Sequence, residues 1–526
     1  MVACRLSIAL AALSVATLAA AQRPLPWRGP DMPKMTGLIQ NQDCTDFFGQ
    51  HDVAGGDGGA MLDAYIDTLA EAGVTVMMVN TNARKTNYKS DVWESFWDGY
   101  DPEGADDQPI FASIPADRRD GYRKLIHSMW ALDDQGVDYP ARAAEHCRAR
   151  GISPWITLRM NDVHDNDNLA HPFHGELWRD AKYHRGGPPT YYSRGLDYAH
   201  PEVRETYRTL VSETLSRYDI DGLELDFMRE PYLFKPGAEE EGAKILREWL
   251  RGVRRLVHDA SVRRGHPIYL GVRVPSRIDV AQSWGLDAVG WAKDGLVDLV
   301  VPTPRWSTLE YDMPLAEWRE ALDGTGVTLA GGLEVLHRPL PNGPPVHVST
   351  AQAAGAAASV LAGGADVVYL FNYFARDGSH PAWSREDYIR TLDAMSSLVA
   401  LNALPRRHAI TWRDITGRDE AYAPPFPAEG ETLEFALPTS PPPPEGASAS
   451  VEITLAQPPS AEAPAELSVN DQPCEFDGQT AKGDAETVLR YTVSVSALGA
   501  DPHDRITIRA TGGSIRVVGV EIAITP

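Results

Sequence analysis

The sequence predicts a (β/α)8 TIM barrel followed by a smaller all-β sandwich. Three observations carry this. Short β-like runs alternate with amphipathic helical stretches between residues 30 and 402. Several of the runs follow a helix that stops at glycine, as in Ala72-Gly73, Arg150-Gly151, Asp294-Gly295 and Gly363-Gly364. Glycine suits a helix end because it enters the left-handed region without a Cβ clash. From Arg406 onward the helical period vanishes, and alternating runs between turn residues replace it.

The β-like runs fall at 36–40, 75–81, 153–160, 222–227, 268–274, 296–303, 327–333 and 366–372. Helical stretches at 61–72, 139–150, 201–218, 240–263, 349–362 and 385–401 lie among them. Strand–helix units in such succession argue for a closed parallel barrel. A doubly wound sheet would more often open on a glycine-rich phosphate loop, and the sequence carries none. The connections 82–139 and 161–200 are longer than ordinary ones. Both leave the C-terminal ends of strands, where barrel enzymes build their sites. The expected sandwich, residues 406–526, has runs at 433–437, 450–456, 488–495, 505–510 and 514–524, with a stiff Pro441–Pro444 segment between the first two. It has no aromatic-rich face, so it is expected to brace the barrel rather than bind glycan.

Arg5, the apolar run from Leu6 to Leu18 and Ala19-Ala20-Ala21 have the pattern of a secretory signal covering residues 1–21. That implies a secreted or periplasmic protein. No later run is apolar for long enough to suggest membrane insertion. Cys44, Cys147 and Cys474 then remain, with spacing that fits neither a zinc site nor a disulfide scaffold. A formal net charge of -24 disfavours a nucleic-acid partner. Oligomeric state is not legible.

The stretch from Tyr218 to Pro231 is the most informative. After the Asp221-Gly222 turn, Leu223, Leu225 and Phe227 alternate with Glu224 and Asp226. Two carboxylates on one face of a strand are costly to bury without partners, unless they do chemistry or bind something. Residues at the other strand ends add amides, arginines and aromatics. They include Asn80, Asn82 and Tyr88; Arg159, Asn161, Asp162 and His164; Arg229, Arg273, Arg305 and Trp306; and Glu334, His337, Asn372 and Tyr373. This mixture suits sugars, whose hydroxyls take hydrogen bonds and whose apolar faces stack on rings. Trp93, Trp97 and Trp306 are candidate platforms. Glycoside hydrolysis needs two carboxyl groups across the scissile bond. Asp226 and Glu334, on the fourth and seventh strands, are the expected pair, with Glu224 tuning Asp226. The cluster of Arg159, Arg229, Arg273, Arg277, Arg305 and Arg338 points to an anionic glycan, bearing sulfate or uronate.

The segment Asp-Gly-Leu-Glu-Leu-Asp-Phe-Met-Arg resembles the strand-four signature of the family-ten-like glycosidase group, exported bacterial (β/α)8 hydrolases. Asn80-Thr-Asn82 with Tyr88, Arg159-Met-Asn-Asp162 with His164, and Pro302-Thr-Pro-Arg-Trp306 extend the similarity. Better-known barrel glycosidases imply an acid/base on strand four and a nucleophile on strand seven. This chain lacks their Asn-Glu pair on strand four and has Asp226 where Glu is usual. In α-galactosidase-like barrels a strand-four Asp is the nucleophile, so the two roles stay open.

Two other functions compete. Asp162, His164, Asp165 and Asp167 could hold structural calcium or, in a metal-dependent hydrolase, a catalytic metal. A strand-one His-x-His is absent, however, and no cofactor is expected. The chain could also be a glycan-binding protein with a decayed barrel. No Gly-x-Ser-x-Gly elbow is present.

Overall fold

The computed structural model describes residues 34–305, 308–338, 340, 343–375, 383–412, 424–458, 464–483, 485–500 and 502–526. The N-terminal segment read as a signal lies outside them, as does Trp306.

The eight barrel strands are β1 Leu38–Gln42, β2 Val76–Asn80, β3 Ser153–Arg159, β4 Gly222–Asp226, β5 Tyr269–Pro275, β6 Leu299–Thr303, β7 Thr328–Glu334 and β8 Val367–Phe371. Each pairs in parallel with its neighbours, and β8 closes onto β1. All eight coincide with the β-like runs to within a few residues. The shift matters most in β1, which places Asn41 and Gln42 within the strand instead of past its end.

Tilted strands in such a barrel contribute inward side chains to layers drawn from alternate strands. The strand registers define those layers. The bottom holds Val76, Leu299 and Val367, then Ile39, Trp155 and Ala330, all apolar. Above them lie Met78, Glu224, Val301 and Tyr369. The next layer is Asn41, Thr157, Arg273 and Gly332, followed by Asn80, Asp226, Thr303 and Phe371. The rim is Asp43, Arg159, Pro275 and Glu334. Gly332 has no room for a side chain, since a Cβ would strike the Thr303 hydroxyl. The barrel is thus oily below and polar above, and the polar half faces the C-terminal ends of the strands.

The 82–139 connection is not structureless. It contains the helix Arg119–Asp134, whose Ile126, Met129 and Leu132 are buried at helical spacing. That period sits in a very polar segment, which is why a sequence scan passes over it.

The C-terminal region forms two antiparallel sheets. Val451, Ile453, Leu489, Ile506, Ile508, Val520 and Ile522 are among their buried residues. The strand Arg406–Ala409 pairs with the last strand, Ile515–Thr525. It also lies against the barrel helix Thr350–Ala362, where Gly355 has no room for a Cβ beside the Arg407 carbonyl. Thr411 donates to the Leu309 carbonyl at 2.6 Å, and His503 bonds Asp312 at 2.5 Å. These contacts attach the sheets to the barrel wall. Among the described residues no helix is long and apolar enough to cross a membrane.

Candidate active site

Asp226 ends β4 with its carboxylate inside the barrel, 1 % exposed. Arg273, on the neighbouring β5, donates from Nε to Oδ1 and from Nη2 to Oδ2, each at 2.9 Å. The Met228 backbone N–H adds a 2.9 Å bond to Oδ1. This bidentate, charge-assisted pairing suits the carboxylate anion. The Arg273 guanidinium lies over the Phe371 ring, 4.1 Å from its centroid. Burial works against the Arg273 charge, but Asp226 outweighs it and raises the arginine pKa.

Glu224 lies two layers below Asp226 and is fully buried. Its Oε1 accepts from the Thr157 hydroxyl at 2.6 Å, the Tyr369 hydroxyl at 2.9 Å and the Asn41 amide at 3.1 Å. Burial, and then the nearby Asp226 charge, push its pKa from 4.5 up to about 7, while Arg273, Thr157 and Tyr369 pull the other way. Lying in a lower layer than both Arg273 and Asp226, Glu224 is placed to position and tune Asp226.

Glu334 ends β7, 1 % exposed. It faces inward in the rim layer, beside Phe371 of β8. Tyr373 supports it from behind, donating to the Glu334 carbonyl at 3.0 Å.

The rim carries a continuous polar chain. Asp43 bonds Arg159 at 2.6 Å, and Arg159 bonds Asp162 at 3.2 Å. Asp162 bonds His164 Nδ1 at 2.9 Å, and His164 Nε2 takes a 3.1 Å bond from Arg229. Because Nε2 accepts, the proton of a neutral His164 belongs on Nδ1, facing Asp162. Burial pushes the pKa of Asp43 up, but Arg159 and Arg229 outweigh it and hold the pKa at about 2. Asp162 is likewise held well below the usual carboxylate range, with His164, Arg159 and Arg84 overcoming burial. Beside this chain, Arg305 pairs with Glu230 at 3.1 Å and lies over Tyr192, 4.7 Å from its centroid. Tyr192 packs on Tyr232 at 4.2 Å, and Tyr232 on Trp284 at 4.4 Å. Tyr191, 45 % exposed, stands next to this group.

Several expected sugar ligands are engaged elsewhere. Asn82 bonds the backbone of Arg159 through both ends of its amide. Asn161 does the same with Leu196 and reaches the Tyr232 carbonyl. Both are clamps between loops. Tyr88 donates to Glu213 of the outer helix Pro201–Arg217 at 2.9 Å and packs on Tyr218, which precedes β4. It is therefore away from the C-terminal rim. Trp93 bonds the Thr206 carbonyl and packs on Tyr207 of that same helix, and Trp97 is buried. Both rings are engaged in packing. Tyr373 points outward against Trp383, because Asn372 adopts a left-handed backbone (φ 62°) and breaks the alternation of β8. Asn80 faces inward and donates to the Asn82 carbonyl. His337 lies in the ribbon formed by Leu336–His337 and Val346–His347, and burial lowers its pKa to about 4. The metal candidates also divide. Asp162 binds Arg159 and His164, whereas Asp165 takes a hydrogen bond from Tyr122 and faces His171 and Arg118.

Sequence reasoning missed Thr157, Tyr369, Phe371, Glu230, Tyr191, Tyr192, Tyr232 and Trp284. Thr157 and Tyr369 were accessible by counting back in twos from each strand end. The tyrosines of the 161–200 loop follow no period, so nothing in the sequence places them over the mouth.

No protein-family model matches the sequence, and no curated protein matches it. Among solved structures, the PgaB (BpsB) glycoside hydrolase domain from Bordetella bronchiseptica is 10 % identical. The match covers 69 % of this chain and 98 % of that one, with a TM-score of 0.38. An Anoxybacillus α-amylase is 11 % identical over 91 % of this chain and 98 % of its own, at a TM-score of 0.35. The maltogenic α-amylase AmyB from Thermotoga neapolitana is 10 % identical over 91 % and 98 %, at 0.36. The barrel assignment itself rests on the strand pairing.

Proposed function

We propose that this chain is a glycoside hydrolase. One observation carries the proposal: Asp226 and Glu334 are inward-facing carboxyl residues in adjacent layers at the C-terminal rim of one closed barrel. Such a pair can serve the two steps of glycosidic cleavage. Arg273 already occupies both oxygens of Asp226, which suits an anion that attacks or stabilises the oxocarbenium-like centre. The proton-transfer role then goes to Glu334, so the strand-four Asp takes the nucleophilic or stabilising part. Tyr191, Tyr192, Tyr232 and Trp284 form the platform for the sugar's apolar face. The substrate is an oligo- or polysaccharide, and the protein acts after export and removal of residues 1–21.

The test is reducing-sugar release from a panel of neutral, uronate-bearing and sulfated polysaccharides. Asp226→Asn and Glu334→Gln should each lower kcat by several orders of magnitude while thermal unfolding stays cooperative. Near-normal turnover in either variant removes that residue from the mechanism.

A second function, glycan binding without turnover, is favoured by the tight Arg273 lock on Asp226. Saturable glycan binding with no product from any substrate in the panel would establish it.

A further inference from the structure

Four of the six arginines in the cluster have carboxylate partners. Arg159 has Asp43 and Asp162, Arg273 has Asp226, and Arg305 has Glu230. Arg277 pairs with Asp279 at 3.3 Å. These pairings account for most of the apparent surplus of positive charge in the sequence. Arg229 differs. No carboxylate among the described residues forms an ion pair with it. Its one hydrogen bond to a side chain goes to a neutral acceptor, His164 Nε2, and its Nε has no partner. It is nevertheless only 7 % exposed, with its guanidinium over Phe371 at 5.5 Å from the ring centroid. Phe371, which also carries the Arg273 guanidinium, shares a layer with Asp226, so this cation lies near the layer of the proposed reaction centre. His164, the residue that holds it, is half exposed and opens the position to solvent.

A buried guanidinium is normally matched by an anion, because its desolvation is otherwise uncompensated. The charge of Asp43 reaches Arg229 at longer range, yet Asp43 spends its direct bond on Arg159.

We infer that Arg229 is the recognition residue for an anionic oxygen group, a carboxylate or a sulfate, on the glycosyl unit bound over Phe371. The inference deepens the hydrolase proposal and rests on it for the identity of the ligand as a glycan. The planar fork suits either group. His164 holds one nitrogen of the fork through Nη2, and Nε has no partner within the protein.

Calorimetric titration of the full chain with glucuronate, glucose 6-sulfate and glucose tests this without requiring turnover. The wild-type protein and Glu334→Gln should both bind at least one anionic probe tenfold or more tighter than glucose. Whichever anion is preferred identifies the source of the group. Arg229→Gln should abolish the preference, and Arg229→Lys should retain part of it. Equal binding of all three probes by the wild type overturns the inference, as does an unchanged preference in Arg229→Gln. If Arg229→Gln does not fold, Arg229→Lys decides, and an unaltered preference for carboxylate there also overturns it. A preference without any hydrolysis defeats the hydrolase proposal alone. Hydrolysis of neutral glycans without a preference defeats this inference alone.

Discussion

Glu224→Gln should remove a pH dependence from the stability of the protein. The folded chain raises the Glu224 pKa from 4.5 to about 7. With the unfolded value lower than the folded one, the stability this group contributes is complete below pH 4.5. It is lost as pH rises through 7, when the buried carboxyl must ionise. At roughly 1.4 kcal/mol for each pH unit between the two values, the loss by pH 8.5 amounts to about 3 kcal/mol. Glutamine is the isostere of the protonated acid. Its carbonyl can keep the bonds from Thr157, Tyr369 and Asn41, and its amide replaces Oε2, which has no hydrogen-bond partner among the described residues. That amide adds a constant cost of about 1–3 kcal/mol but no titration. Urea unfolding of both proteins at pH 5.5, 7.0 and 8.5 gives the difference directly, because other titrating groups are common to both. The variant should gain on the wild type by about 2 kcal/mol across that range, the rest of the loss falling below pH 5.5. A difference that stays flat within about 0.5 kcal/mol would refute the account of Glu224 as an acid kept neutral under Arg273.

Arg273→Met should cost about 3–5 kcal/mol, because it strands the buried Asp226 charge; adding Asp226→Asn should recover much of it, and denaturant midpoints of the single and double variants check this. Gly355→Val forces a side chain against the Arg407 backbone and should cost about 1–3 kcal/mol. Faster proteolysis near Arg406 would accompany it if the strand Arg406–Ala409 lifts from its helix. Tyr88→Phe should lose about 1–2 kcal/mol with its bond to Glu213 and leave kcat unchanged. A tenfold fall in kcat without lost stability would return Tyr88 to the substrate site.

The sequence by itself determined the barrel, the all-β region after it, and the carboxylates facing inward on β4 and β7. Alternation and helical spacing are local properties, written in neighbouring residues, and eight such units have few ways to close. Only the tertiary structure decided how the polar residues divide. Glu224 and Asp226 are indistinguishable in a period-two pattern, yet the stagger of the barrel sets one beneath Arg273 and the other beside it. Asn82, Asn161 and Tyr88 look like sugar ligands until the loops fold and their hydrogen bonds go to backbone and to Glu213. The left-handed turn at Asn372 sends Tyr373 behind the sheet. Hydrogen-bond partners come from residues far apart in the chain, so no local pattern reveals which polar groups are consumed by the fold and which, like Arg229, are left for a ligand.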